Sequence, residues 1–215
     1  MFRRMIVPIT GYILLFILVY CLINFLEFSL SIQKLPELSN VHGEKKVQAM
    51  RSLVMDIRYF PVAKDEKNGE YVQFEDSYGG ARSYGGERKH EGIDLMASNN
   101  KRGYFPVVSV SDGVVEKKGW LKLGGYRIGI RAPEGAYFYY AHLERYAEGI
   151  EEGSKVKAGQ IIGYMGDSGY GPEGTVGEFA VHLHFGIYLT LEGKEFSVNP
   201  YPILRRLENF QTDFP

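Results

Sequence analysis

The chain has 215 residues, room for one full-sized domain and an extension but hardly for two. Its formal net charge of -1 gives no bulk electrostatic case for a nucleic-acid partner, and none is expected. The 26 glycines and 14% aromatic residues favour a turn-rich β protein over a helical bundle. The single cysteine, Cys21, excludes an intramolecular disulfide and a cysteine-built zinc site.

Residues 1–4 carry Arg3 and Arg4, and residues 5–26 carry no charge at all. That apolar run matches the roughly 20 residues a helix needs to cross a bilayer. The positive-inside rule keeps residues 1–4 cytoplasmic and sends the remainder outward. A cleavable signal peptide has an apolar core of about 7–15 residues, shorter than this run. Ser29-Leu30-Ser31 is a weak cleavage site, and bulky Tyr20 before Cys21 does not suit lipid attachment. The expectation is therefore a retained single-pass anchor at 5–26.

Residues 27–69 read as a linker, with Pro36 and mixed charge, carrying a short amphipathic helix over 46–57 that Pro61 stops. His42 in this linker has no partner at ligand spacing. A β domain follows over 70–207. The glycine-rich stretch from Tyr78 to Arg88 reads as a loop that delivers the chain to His90. Asp112-Gly113 reads as a hairpin turn between two apolar runs. Residues 126–131 and 136–143 form another strand pair, and 155–163 reads as a small hairpin. A second glycine-rich loop, 166–177, delivers the chain to His182. Residues 199–207 close the domain, and 208–215 are a tail.

Chemistry concentrates at three short motifs: His90-Glu91-Gly92-Ile93-Asp94, Tyr140-Ala141-His142-Leu143 and Val181-His182-Leu183-His184-Phe185. On a strand, side chains two or four residues apart share a face, so His182 joins His184 and His90 joins Asp94. Two imidazoles and a carboxylate with an open fourth position form a catalytic rather than a structural zinc set. The ligands read as His90, Asp94 and one histidine of the 182/184 pair, with His142 a further free imidazole. The helical motif His-Glu-x-x-His is a poorer fit, because on a strand Glu91 points away from His90 and Asp94.

Together these residues resemble the lysostaphin/LytM-like zinc metallopeptidases, which cut peptide bonds in bacterial peptidoglycan. The resemblance rests on Tyr78, Gly79, Arg82 and Arg88 ahead of His90-x-Gly92-x-Asp94, then Tyr140-x-His142-Leu143 and His182-Leu183-His184-Phe185, and it covers about residues 75–200. It implies one Zn²⁺ per chain held by His90, Asp94 and His184, with His142 and His182 as uncoordinated catalytic histidines. It also implies a mainly β fold, an antiparallel sheet with a groove, lysostaphin-like and related to the barrel-sandwich hybrid. Tyr78, Arg82 and Tyr140 are expected to contact substrate, although aromatics in β domains more often serve the core. The implied protein is an enzyme of the bacterial cytoplasmic membrane with its catalytic domain outside and a peptidoglycan peptide as substrate. Two features depart from the family pattern: Val181 stands where a Pro usually precedes the histidine pair, and Gly186 where an acidic residue often follows it. The alternative is a non-catalytic zinc- or wall-binding module that recruits another hydrolase. Such a module would be expected to drop one of the five site residues, and this chain keeps them all. A lipoyl-like carrier reading of 155–163 lacks a suitable modifiable lysine.

Overall fold

Along the long strands one face is apolar and the other carries the histidines, and this alternation sets the architecture. In the computed structural model the described residues are 15–16, 19–20 and 44–214. The chain divides into two units, Met1–Asn40 and Val41–Pro215. In the first, residues 15–16 and 19–20 are helical, and their apolar side chains are exposed. The rest of the expected span at 5–26 lies outside the described residues. Among the described residues no helix is long and apolar enough to cross a membrane.

The second unit runs α1 (Glu44–Asp56), β1 (Val72–Gln73), β2 (Ala81–Arg82), β3 (Arg88–Lys89), β4 (Ile93–Ala97), β5 (Pro106–Val108) and β6 (Gly113–Leu121). It continues with β7 (Gly125–Arg131), β8 (Tyr137–Tyr146), β9 (Lys155–Val156), β10 (Ile161–Met165), β11 (His182–Leu191), β12 (Lys194–Val198) and α2 (Tyr201–Leu207). The main sheet has the order β1-β4-β11-β8-β7-β6-β9; β12 also pairs with β11, and β10 pairs with both β8 and β5. Strands β2 and β3 form a separate two-stranded ribbon. The strand pairings are antiparallel, as the composition and turn signals predict.

Strand β11 is the spine. Leu183, Phe185, Ile187 and Leu189 are buried on one face. Directly opposed residues share a face, so Leu183 meets Leu95, and Phe185 meets Ile93 on one side and Tyr140 on the other. Each such side chain contributes about 1.5–3 kcal/mol when fully buried. The same register puts His182, His184, Gly186 and Tyr188 on the opposite face, where the groove lies.

Three boundaries differ from the sequence reading. First, the domain reaches well into the expected linker. Phe60, Val62 and Ala63 are buried, and the Lys64 N–H donates to the Thr212 carbonyl while the Phe214 N–H donates to Lys64. The expected tail is thus tied to the expected linker. Helix α1 ends before Pro61 is reached, because the Arg58 and Tyr59 N–H groups turn to the Val110 carbonyl. Of the expected apolar stripe, Leu53 and Ile57 are buried and Val54 is half-buried; the side chains of Val47 and Met50 lie outside the described set.

Second, Asp112-Gly113 is not a hairpin turn, since β5 pairs with β10 whereas β6 pairs with β7 and β9. Gly113 is absent from the positive-φ positions such a turn requires. Its glycine serves close approach instead, because a Cβ would stand 2.6 Å from the Arg131 carbonyl oxygen. Asp112 accepts the Ala158 N–H at 2.9 Å. Third, β9 and β10 flank a turn closed by the Gln160 N–H to the Lys157 carbonyl, but they pair with other strands and not with each other.

Candidate metal centre and groove

Asp94 on β4 stands directly opposite His184 on β11, so both side chains rise from one face of the sheet. His90 comes from the short connection between β3 and β4 rather than from the strand itself. Gly92 permits that approach. A Cβ there would lie 2.6 Å from the Phe185 carbonyl oxygen and 2.7 Å from the His184 ring. The spacing His90-x-Gly92-x-Asp94 thus has a steric reason.

Three donor atoms converge. His90 Nε2 lies 2.9 Å from His184 Nδ1 and 3.1 Å from Asp94 Oδ1, and the last two atoms are 3.0 Å apart. Tetrahedral zinc with bonds of about 2.0–2.1 Å spaces its donors by about 3.3 Å. The triangle is close to that size, and among the described residues it is the cluster able to hold a metal. The protonation pattern also fits. His90 Nδ1 is engaged outside the triangle, 3.1 Å from the Ser77 carbonyl oxygen and 2.9 Å from Arg82 Nη2, while Nε2 faces the other two donor atoms. Burial lowers the His184 pKa and keeps that ring neutral, as a ligand must be. Burial alone would raise the Asp94 pKa, but the His184 and His90 rings beside it hold it well below the ordinary carboxylate range. Arg82 Nη2 donates to Asp94 Oδ2 at 2.6 Å and so leaves Oδ1 turned to the triangle.

His142 and His182 stand beside this triangle, their rings 4.7 Å apart. Each donates Nδ1–H to a backbone carbonyl, His142 to Ser168 at 2.8 Å and His182 to Ala180 at 2.7 Å. Their Nε2 atoms are left as proton acceptors. His182 Nε2 is 3.8 Å from Asp94 Oδ1. Burial lowers the pKa of both rings, that of His142 furthest. At neutral pH both are bases.

His142 reaches the groove by a break in the strand pattern. Period two would place it on the core face with Phe138 and Tyr140. Instead β8 carries an extra residue against β7, where Tyr126 pairs with Leu143 but Ile128 pairs with Tyr140. The backbone of His142 takes φ 63°, rare for a side chain of this kind. Ser168 holds the turned ring, its own hydroxyl donating to Leu143 and accepting from Tyr126.

The expected substrate contacts therefore separate. Tyr140 is fully buried, and its hydroxyl accepts the Val110 N–H at 2.9 Å, so it belongs to the core and not to the groove. Tyr78 is bonded to Ser197 through its hydroxyl and is not part of the groove lining. Arg82 does line the groove, but its guanidinium is engaged with Asp94.

Among the other residues lining this groove of about 520 Å³, Arg88 entered the sequence reading only as a motif residue, and Lys89, Tyr170, Phe179 and Tyr188 were missed. Tyr188 was findable, since it lies on the His182/His184 face by period two. Its ring also accounts for Gly186, where a Cβ would come within 3.0 Å of it. Tyr170 comes from the second glycine-rich loop and Phe179 from the residues just after it, and neither was findable by periodicity. Phe179 packs 4.7 Å from His142 and 5.0 Å from His182. Tyr170 stacks 4.2 Å from Tyr84, whose hydroxyl donates to the Tyr170 carbonyl, so the two glycine-rich loops meet.

Similarity to known proteins agrees with this geometry. The chain is 47% identical to the L-Ala–D-Glu endopeptidase of Bacillus subtilis (strain 168) over 138 residues, 64% of this chain and 41% of the relative. It is 32% identical to the glycyl-glycine endopeptidase ALE-1 of Staphylococcus capitis over 118 residues, 54% of this chain and 29% of the relative. The chain thus spans less than half the length of either. A crystal structure of a LytM from Ruminococcus gnavus ATCC 29149 superposes with a TM-score of 0.73 at 56% identity, covering 79% of this chain and 67% of that one. Residues 88–200, which hold all five histidine and aspartate site residues, match the model of peptidase family M23, and the chain belongs to that family.

Proposed function

We propose that the chain is a membrane-anchored zinc metalloendopeptidase that hydrolyses peptide bonds in bacterial peptidoglycan. The observation that carries this reading is the triangle of His90 Nε2, Asp94 Oδ1 and His184 Nδ1 with two acceptor imidazoles beside it. Family membership and the peptide bonds named for the relatives support the reaction type. The uncharged run at 5–26 behind Arg3 and Arg4 supports a single-pass anchor in the cytoplasmic membrane with the domain outside.

One Zn²⁺ would be held by His90, Asp94 and His184, with Arg82 fixing the Asp94 carboxylate. When bound, it supplies Lewis acidity for amide hydrolysis. His182 and His142 present unprotonated Nε2 atoms to the same space. One of them accepts a proton from water as the water oxygen bonds to the scissile carbonyl carbon. It then returns that proton to the leaving amine nitrogen as the C–N bond breaks. Burial suits both rings to the accepting role, because the neutral form prevails at pH 7 and only acid would fill Nε2. Phe179 and Tyr170 cover the pair and limit access of bulk water.

The test is digestion of purified peptidoglycan by the full chain with and without a zinc chelator, with mass spectrometry of the released fragments. Chelator-sensitive appearance of new amino and carboxyl ends at one peptide bond is the expected result. One zinc per chain with no cleavage of several wall types would overturn the reading in favour of a recruiting module.

A further inference from the structure

Arg82 on β2 stands directly opposite Arg88 on β3, and opposed residues of a ladder share a face. Two guanidinium groups placed this way repel unless each has an anion. Arg82 has one in Asp94. Arg88 lines the groove with no such anion among the described residues, and its Nε is buried with no hydrogen-bond partner there. Glu91 also lines the groove but forms no ion pair with Arg88 among the described residues. Lys89 adds a second cation at the same rim. The groove is also lined by the aromatic rings of Tyr170 and Phe179. The groove thus carries a cationic ribbon with an unused planar donor beside uncharged aromatic side chains.

We infer that Arg88 is a specificity-determining residue that binds a carboxylate carried by the peptide next to its scissile bond. The preferred substrate is then an acidic peptide rather than a chain of glycines. This inference rests on the peptidase reading of the groove. A guanidinium meets a carboxylate through two parallel N–H donors, a match that neither an amide nor a glycine backbone can supply. An alanyl–glutamyl bond satisfies it, because a glutamyl residue within a peptide always keeps one carboxyl outside the chain. A glycyl–glycine bond offers no such group.

The test compares three peptides on the zinc-loaded full chain: L-Ala–D-Glu–L-Lys with a free glutamyl carboxylate, the same peptide with that group as the carboxamide, and pentaglycine. Hydrolysis (kcat/KM) and binding by calorimetry are both read. A charge-assisted pair makes the carboxylate peptide better than the carboxamide by about 10- to 100-fold, with pentaglycine poorest. In Arg88→Gln that ratio should collapse to within about threefold, and Arg88→Lys should restore part of it as a charge without the fork. Zinc content, measured on each variant, should stay at one per chain. A ratio unchanged in Arg88→Gln, or wild-type protein that handles carboxamide or pentaglycine equally well, overturns the inference. If no peptide is cleaved but the carboxylate form binds selectively through Arg88, the hydrolytic reading falls and the role of Arg88 stands. Absence of both cleavage and selective binding removes both.

Discussion

The two halves of the groove floor are built by opposite means. The His90/Asp94/His184 triangle uses regular antiparallel pairing, with Asp94 and His184 in direct register and a glycine making room for the third ligand. Of the His142/His182 pair, His182 keeps the regular register of β11 and His142 uses irregularity. One ring is turned out by a bulge at φ 63°, and both are aimed by backbone carbonyls of the loop before β11. Ligand geometry is tolerant enough for a strand to provide it. Bringing a second proton acceptor from β8 beside the ligands requires that strand to leave its pattern, and the strain sits where the function is proposed.

Single removals should split these halves most sharply. His184→Ala takes away one of three donors, so bound zinc should fall toward zero and peptide hydrolysis to background. His182→Ala and His142→Ala should keep one zinc per chain while kcat falls roughly 10²–10⁴-fold, the usual contribution of a positioned acid–base group. Zinc content by elemental analysis, read beside turnover, checks both. Equal zinc loss in the His184 and His182 variants would erase the division of labour.

Two glycines test the same contrast more gently, each through one half. In Gly92→Ala the new Cβ meets the His184 ring and the Phe185 carbonyl, so zinc affinity should weaken by roughly 10–100-fold, the scale seen when ligand-orienting contacts are lost. In Gly125→Ala the φ of +62° is strained for alanine, and the Cβ would stand 2.2 Å from the Ser168 carbonyl oxygen that holds His142. There stability should drop by about 1–3 kcal/mol, and kcat should fall with zinc affinity unchanged. Chemical denaturation and zinc titration of the two variants should give opposite patterns.

The same contrast explains what could be read from the residues alone. Composition and turn signals predicted the antiparallel sheet, and period two placed His182 with His184, because β11 is long enough for alternation to show. It gave no access to Tyr170 and Phe179, whose positions follow from loop closure and from stacking on Tyr84. It failed at Asp112-Gly113, where glycine serves close approach to a neighbouring strand. A hairpin turn and a tight crossing call for the same residue, and only the partner strand distinguishes them. Resemblance rather than periodicity pointed to His142, since no residue pattern announces a bulge.

Tyr140 brings this to a single hydroxyl. By period two it shares a face with His142, and on that logic both reach the groove or neither does. The bulge between them separates the two, leaving Tyr140 beneath Phe185 with its hydroxyl on the Val110 N–H. Tyr140→Phe should therefore leave kcat/KM within about twofold of wild type. It should instead lower stability by about 1–3 kcal/mol, because a buried N–H loses its acceptor. A large fall in kcat/KM at unchanged stability would return Tyr140 to the substrate. It would also mean that the strand keeps its alternation through His142, and that the turned ring is not how this groove obtains its second base.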